Sequence, residues 1–192
     1  MVIHWLIGRM DWWGWQVPYA LQVVLLVFLA AWLALLVHEF AHGLVAHALG
    51  VRPMSVALGS GPVLYRGSVG RCALRVAALP LHGEVRFRDE DARQLGYRNI
   101  GREDWTFEWT AGSWRAPLIS AAGGLANFFA AGAVLAYWHL MPPLSPPSFA
   151  LFTMCLIVNL MMFLNLAPIR GLDGGRLVVH AAALRRQLAP GA

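Results

Sequence analysis

The sequence predicts an α-helical integral membrane protein with three membrane-spanning helices. Hydrophobic residues make up 58% of the chain and charged residues only 13%, whereas soluble domains contain about 45–50% and about 25%. Three apolar stretches are each long enough to cross about 30 Å of hydrocarbon. The basic residues gather on one predicted side of these stretches. Because the 192 residues contain no internal repeat or low-complexity tract, we expect a single domain over residues 1–192.

The first span is predicted at about residues 18–49. It is apolar up to position 37 except for Gln22, and its helical pattern continues to the stop signals Gly50 and Pro53. Aromatic residues crowd the approach to this span, as they do at a membrane interface. They are Trp5, Trp12, Trp13, Trp15 and Tyr19.

The second span is predicted at about residues 116–140 and the third at about residues 149–166. All fifteen basic residues are arginine. If the spans alternate, Arg9 and the linker at residues 141–148 share one side, and the other fourteen arginines lie on the opposite side. The positive-inside rule then predicts a multi-pass protein of the cell membrane with an extracytoplasmic N-terminus and a cytoplasmic C-terminus.

The net charge of +5 is therefore interpreted as a signal of topology and of attraction to anionic lipid. Nucleic-acid binding is not expected, because acidic residues interrupt the charged cytoplasmic segment at about residues 89–115. The lipid bilayer is therefore the first expected partner.

Residues 38–42 read HEFAH near the end of the first span. Positions i and i+4 share a helix face, so His38 and His42 can present two imidazoles to one metal ion, with Glu39 beside them. Hydrogen bonds from neighbouring helices are the alternative for the two histidines. Inside a membrane span, however, three ionisable groups within five residues would each need a partner, which favours a metal centre.

A catalytic zinc ion usually has three protein ligands and one water molecule. Asp173 is the candidate third ligand, because it follows the third span and returns to the same side of the membrane as HEFAH. The alternative role for Asp173 is the N-cap of the next helix. The two roles are evenly matched for Asp173 alone, and the presence of HEFAH favours ligation. Glu84 is the next carboxylate to consider.

These motifs resemble the site-2 protease family of intramembrane zinc metalloproteases. HEFAH lies in the first span, NLAP ends the third and LDGG follows it. In the second span, SAAGGLANFFAAG is similar to the family's Gly-Pro-x-x-Asn motif, with Asn127 at the asparagine position and Gly124 where proline usually stands. Residues 59–87 resemble the family's membrane-associated β-hairpin, which we expect at about residues 54–88 between the first two spans.

The resemblance implies a zinc metalloendopeptidase that hydrolyses peptide bonds in or near transmembrane segments of membrane proteins, as in regulated intramembrane proteolysis. It implies one zinc ion per chain, held by His38, His42 and Asp173. The zinc would lower the pKa of its bound water, and Glu39 would take that proton and pass it to the leaving amine. Asn127 would bind the substrate backbone or an oxyanion, with helix packing as its alternative role.

The expected partners also include a transmembrane protein substrate and a separate regulatory membrane protein. Regulation by a second protein is expected because the chain resembles the minimal catalytic core of the family, without a PDZ domain or a nucleotide-sensing domain. A transmembrane helix must unwind before cleavage. The alternating pattern of RCALRVAAL predicts a strand whose edge could capture the unwound segment; a hairpin that only closes the cytoplasmic mouth is the alternative.

Two other functions use the same residues: a catalytically inactive membrane adaptor of the same fold, and a zinc transporter. An adaptor need not keep Glu39, which is not a ligand, and a transporter would need more polar positions along the spans. The remaining histidines are assigned no role. Among them, His47 points away from the ligand face and His180 is expected at the surface.

Overall fold

A computed structural model of the chain describes residues 19–88, 90–91, 95, 97–99, 107–109, 113–140, 146–169 and 171–188. The tryptophans of the predicted interfacial belt, most of the predicted linker and most of the charged cytoplasmic segment lie outside the described residues.

Three long helices pack against one another in pairs. Helix α1 runs from Tyr19 to Ala48, α2 from Arg115 to Leu140 and α3 from Pro146 to Phe163. A short 3-10 turn, Leu164–Leu166, continues α3. Within the described residues, three stretches are helical, long and apolar enough to cross a membrane, which agrees with the three predicted spans. These stretches are Leu21–Ala48, Arg115–Leu140 and Phe149–Leu166.

The outer surface of the bundle is apolar, and small residues lie where its helices contact one another. Large side chains such as Phe40, Phe129 and Met161 are 70%, 69% and 64% exposed, which suits a surface that faces lipid. In contrast, Ala30 and Ala34 of α1 are fully buried. Small residues let membrane helices approach closely, so the polar groups of the interior can reach one another across the bundle.

Glycine replaces the family's usual proline at position 124 without interrupting α2. A Cβ atom at Gly124 would overlap the side chain of Leu166 in the 3-10 turn. The position therefore supports a close contact between α2 and the end of α3.

An antiparallel sheet of two long strands follows α1 and packs on it. Strand β1 is Pro53–Val69 and β2 is Cys72–Phe87, so the hairpin expected at about residues 54–88 is confirmed. Gly59 and Gly61 of β1 have φ values of 79° and 81°, a region that glycine adopts readily.

The first half of β1 lies between two segments of β2. Val56 is opposite both Val85 and Leu74. The outer segment, Gly83–Phe87, therefore pairs with β1 on one side, and among the described strands nothing pairs with its other side.

The remaining elements are short or amphipathic. Strands β3 (Tyr97–Asn99) and β4 (Phe107–Trp109) form a second small antiparallel pair. Helix α4, Asp173–Leu188, follows the 3-10 turn and packs against α2. Its first residue is the aspartate singled out in the sequence, and the packing brings it back to the interior of the bundle.

Candidate active site

Helix α1 presents the two histidines of HEFAH on one buried face. His38 is 2% exposed and His42 8%, and their ring centroids lie 4.8 Å apart at an interplanar angle of 80°. This arrangement follows from the four-residue spacing on a helix of 3.6 residues per turn. His47 is exposed, in agreement with its expected position off this face.

Asp173 completes a triangle with the two histidines. Its Oδ2 atom lies 2.9 Å from Nε2 of His38 and 3.3 Å from Nε2 of His42. The two Nε2 atoms are 3.2 Å apart. Among the described residues, this trio has donor atoms close enough together to hold one metal ion.

The carboxylate of Asp173 points towards the histidines and not along its own helix. Its second oxygen lies 3.7 Å from the guanidinium of Arg176. No described backbone N–H donates to the Asp173 side chain, so the N-cap hydrogen bond is absent from the described part of α4.

Each histidine is held at its other ring nitrogen. Nδ1 of His42 lies 2.6 Å from the carbonyl oxygen of Ile119, and Nδ1 of His38 lies 2.7 Å from Oδ1 of Asn127. A carbonyl oxygen only accepts hydrogen bonds. The proton of His42 is therefore on Nδ1, which leaves a lone pair on Nε2 when the ring is neutral.

The same conclusion holds for His38, because a chain of hydrogen bonds fixes the orientation of Asn127. The amide nitrogen of Asn127 donates to the carbonyl of Ala34 at 3.0 Å and to Oδ1 of Asn159 at 2.8 Å. Asn159 in turn donates from Nδ2 to the carbonyl of Cys155 at 2.8 Å. Since the backbone carbonyls are acceptors, Oδ1 of Asn127 must face His38 and accept its Nδ1–H.

Three electron-pair donors therefore converge with no proton assigned between them. Two neutral imidazole nitrogens and one carboxylate oxygen at 2.9–3.3 Å would repel one another unless a cation lay between them. Tetrahedral zinc with bonds of about 2.0–2.1 Å separates its ligands by about 3.3–3.4 Å. The three separations, 2.9, 3.2 and 3.3 Å, lie at or within about 0.5 Å of that value, so the donor set suits zinc.

Glu39 lies beside this triangle without a direct partner. The residue is 6% exposed, and its carboxylate makes no hydrogen bond or ion pair with the described residues. It faces Gly83 of β2, where an added Cβ would overlap the carboxylate. Burying a carboxylate without a protein partner costs free energy. Such an arrangement is typical of a catalytic group.

Glycine lets α2 reach the ligand atoms. A Cβ at Gly123 would lie 2.7 Å from Nε2 of His38 and closer still to Nε2 of His42. Position 123 must therefore be glycine for α2 to pack at its present distance from the two histidines.

The sequence pattern of peptidase family M50, the site-2 protease family, matches residues 25–148. This stretch covers more than half of the chain and includes HEFAH and Asn127. The chain belongs to peptidase family M50. The match ends before Asp173, so the place of that residue in the site rests on the geometry of this M50 chain.

Curated relatives of the M50 chain carry provisional names as zinc metalloproteases. One from Chlamydia pneumoniae is 33% identical over 119 residues, which is 59% of this chain and 18% of the relative. One from Chlamydia trachomatis is 32% identical over 112 residues, 55% of this chain and 18% of the relative. A third, from Agrobacterium fabrum, is 33% identical over 126 residues, 62% of this chain and 31% of the relative. The M50 chain thus matches less than a third of the length of these proteins.

Asn127 of the M50 chain is held by hydrogen bonds to α1 and α3. Its side chain is fully buried, and both of its N–H donors are engaged by Ala34 and Asn159. Its Oδ1 atom contacts Nδ1 of His38 and so positions the ring. Binding of the substrate backbone or an oxyanion by Asn127 stays a prediction.

Asn165 is a polar neighbour of the site for which sequence reasoning gave no role. Its Nδ2 atom lies 3.4 Å from Nε2 of His38 and 3.5 Å from Oδ2 of Asp173. The available signal was its place in NLAP, at the end of the third span and eight residues before Asp173. This spacing could have placed Asn165 near the ligands once the chain was expected to turn back there.

His180 and Glu84 lie in environments that differ from those considered from the sequence. His180 was expected at the surface, but it is 1% exposed, so that expectation was wrong. Burial, and to a smaller extent the charge of Arg176, lowers the pKa of His180 to about 4. Glu84, the next carboxylate considered as a ligand, instead pairs with Arg86 at 2.9 Å.

Proposed function

We propose that the chain is a zinc metalloendopeptidase that hydrolyses peptide bonds in or near transmembrane segments of membrane proteins, in regulated intramembrane proteolysis. The observation that carries the proposal is the convergence of two Nε2 lone pairs and the Asp173 carboxylate beside Glu39, which has no hydrogen-bond partner among the described residues. Membership of family M50 and the names of the relatives support a metallopeptidase.

The ligand set and Glu39 have separate roles in this proposal. His38, His42 and Asp173 hold one zinc ion per chain, which, when bound, polarises the scissile carbonyl and acidifies a water molecule. Glu39 accepts a proton from the attacking water and delivers it to the leaving amine. It suits this role because no described protein group competes for its carboxylate.

The substrate is proposed to enter as an extended segment beside the outer segment of β2, Gly83–Phe87. The side of this segment that pairs with no described strand can offer backbone hydrogen-bonding groups to an added strand. Gly83 lies against Glu39, so a peptide paired along this edge would pass next to the proposed proton acceptor. A helix that has unwound could thereby replace its lost backbone hydrogen bonds.

The decisive experiment compares Glu39→Gln with Glu90→Gln, an exposed control that makes the same chemical change. We expect purified Glu39→Gln to keep its zinc and to lose cleavage of a model transmembrane substrate in detergent by about 100-fold or more, the scale of general base catalysis. The Glu90 variant should cleave normally. Wild-type cleavage by Glu39→Gln would overturn the mechanism.

The same assay separates the two competing functions. Binding of the model substrate by the wild-type, zinc-loaded protein without any cleavage would favour an adaptor. Zinc movement across proteoliposomes without cleavage would favour a transporter.

The orientation in the membrane is also proposed from charge. Fourteen of the fifteen arginines fall on one predicted side, which the positive-inside rule assigns to the cytoplasm. Reporter fusions at Ser145 should therefore be active on the extracytoplasmic side and fusions after Leu188 in the cytoplasm. A cytoplasmic signal from Ser145 would reverse the orientation.

A further inference from the structure

The sheet of β1 and β2 carries its charged side chains on one face. Residues directly opposite one another share a face of a sheet. Arg75 is opposite Arg66 on one side and Ala57 on the other, and Ala57 is opposite Glu84. Arg86 lies two positions after Glu84 and so points the same way. We call the surface formed by Arg66, Arg75 and Arg86 the arginine face.

The opposite face of the sheet is apolar. Val56 lies opposite Leu74 and Val85, and Tyr65 lies opposite Val76. Part of this face stays uncovered, since Tyr65 is 54% exposed. A sheet with an exposed apolar face and an arginine face is suited to the boundary between hydrocarbon and headgroups, where tyrosine and arginine are both favoured.

Two charges on the arginine face have no counter-ion among the described residues. Arg66 and Arg75 are directly opposite each other, an arrangement in which like charges destabilise a sheet. Glu84 is already paired with Arg86 at 2.9 Å, and no other described carboxylate lies within ion-pair distance of Arg66 or Arg75. An external anion would relieve this repulsion.

The three arginines also line a single concavity. It has a volume of about 390 Å³ and is also lined by Ser55 and Glu84. This volume falls in the range of about 300–1,000 Å³ that is typical of ligand pockets. Guanidinium groups match the geometry of phosphate oxygens and can bind them in pairs.

We infer that the arginine face is a binding site for the phosphate group of an anionic phospholipid. The exposed part of the apolar face, at Tyr65, favours a lipid over a soluble anion or an acidic peptide, because it allows the same sheet to contact acyl chains while the arginines contact the headgroup. The inference does not depend on the proposed protease activity.

The test uses the full chain purified in a neutral detergent and titrated with phosphatidylglycerol or phosphatidylcholine. Native mass spectrometry counts the lipids retained. The double variant Arg66→Gln/Arg75→Gln is compared with Arg71→Gln, which removes an exposed arginine from the turn of the same hairpin, outside the concavity. The double variant should fold, because it removes a like-charge pair.

We expect wild type and Arg71→Gln to retain phosphatidylglycerol in preference to phosphatidylcholine. The double variant should bind phosphatidylglycerol about tenfold or more weakly, since basic side chains at a membrane surface each contribute measurably to binding of anionic lipid. Arg66→Lys/Arg75→Lys should fall between, because lysine keeps the charge and loses the paired contacts.

Three results would overturn the inference. The first is an equal loss of binding in Arg71→Gln and in a single variant, Arg75→Gln, which removes the same charge from within the concavity; this would indicate attraction by net charge alone. The second is binding of inorganic phosphate as tight as that of phosphatidylglycerol, which would show that the site recognises phosphate without the rest of the lipid. The third is an acidic peptide that displaces phosphatidylglycerol from wild type and binds more tightly, which would make the face a protein-binding surface.

Discussion

The two regions that supply the candidate ligands differ in how their side chains are held. In α1, His38 and His42 sit one turn apart on the same helix, and each Nδ1 has a buried acceptor. Asp173 comes from the first residue of α4 and is oriented by the histidines themselves and by Arg176. The histidines are thus prepared before a metal binds, whereas the aspartate depends on the path of the chain after α3.

The largest effect on zinc affinity is expected for Asp173, the ligand whose position depends on the path of the chain after α3. Asp173→Asn should lower zinc affinity by more than about 100-fold, beyond the 10–100-fold typical of residues that only support a ligand, because a neutral amide is a poor ligand. Asparagine caps a helix about as well as aspartate, so α4 should remain folded. Zinc content after dialysis against a weak chelator measures the effect. Glu84→Gln is the matched control, and full zinc occupancy in Asp173→Asn would exclude ligation.

A side chain added at Gly123 of α2 should disturb zinc binding by the two histidines. Gly123→Ala places a Cβ against both Nε2 atoms, so α2 or the rings must move, and zinc affinity should fall by about 100-fold, as expected when ligand geometry is lost. Gly132→Ala is the control, because the same helix has open space there and alanine favours helix by about 1 kcal/mol. Equal zinc binding by the two variants would show that the close approach is dispensable.

A smaller effect is expected from loosening the support of one histidine. Asn127→Ala removes the acceptor of the His38 Nδ1–H, so zinc affinity should drop about 10–100-fold. Asn159→Ala, one step further along the chain of hydrogen bonds, should cost less than about tenfold. The pair of affinities, measured by competition with a chelator, distinguishes positioning from general destabilisation. If Asn159→Ala weakened zinc binding more than Asn127→Ala, the proposed order of support would be wrong.

The smallest effect is on the pH dependence of stability and comes from His180 of α4. The pKa of His180 is lowered to about 4 by burial and by Arg176. A lowered folded-state pKa gives stability that is complete above the unfolded value of about 6.5 and is lost as pH falls towards about 4. Between about pH 7 and about pH 5.5, unfolding should become easier by about 1 kcal/mol.

His180→Gln should lack this part of the pH dependence, and thermal unfolding in detergent at the two pH values measures it. Identical pH dependence in the variant and wild type would show that His180 is not buried in its neutral form.

Local spacing made α1 predictable from sequence. HEFAH placed two histidines on one helix face, and apolar length placed the three spans. The position of Asp173 depended on the path of the chain between α3 and α4, which no local pattern specifies. Asp173 taken alone was therefore evenly matched between ligand and cap, and only its combination with HEFAH favoured ligation. The contacts of Asn127 could not be predicted for a related reason. Its partners Ala34 and Asn159 belong to two other helices, and only their packing shows that its donors are already used.

The length of α1 also determines how far water must travel. The helix has 30 residues, and His38 lies ten residues before its end, which corresponds to about 15 Å along the axis. Hydrolysis consumes one water molecule per bond, yet the bilayer core around such a depth is dry. The edge of the sheet at Gly83 reaches down to Glu39, so backbone groups that pair with no described strand can lead water to the same place as the peptide. Hydration and substrate entry would then share one route, and a bound substrate would itself limit how much solvent reaches the centre.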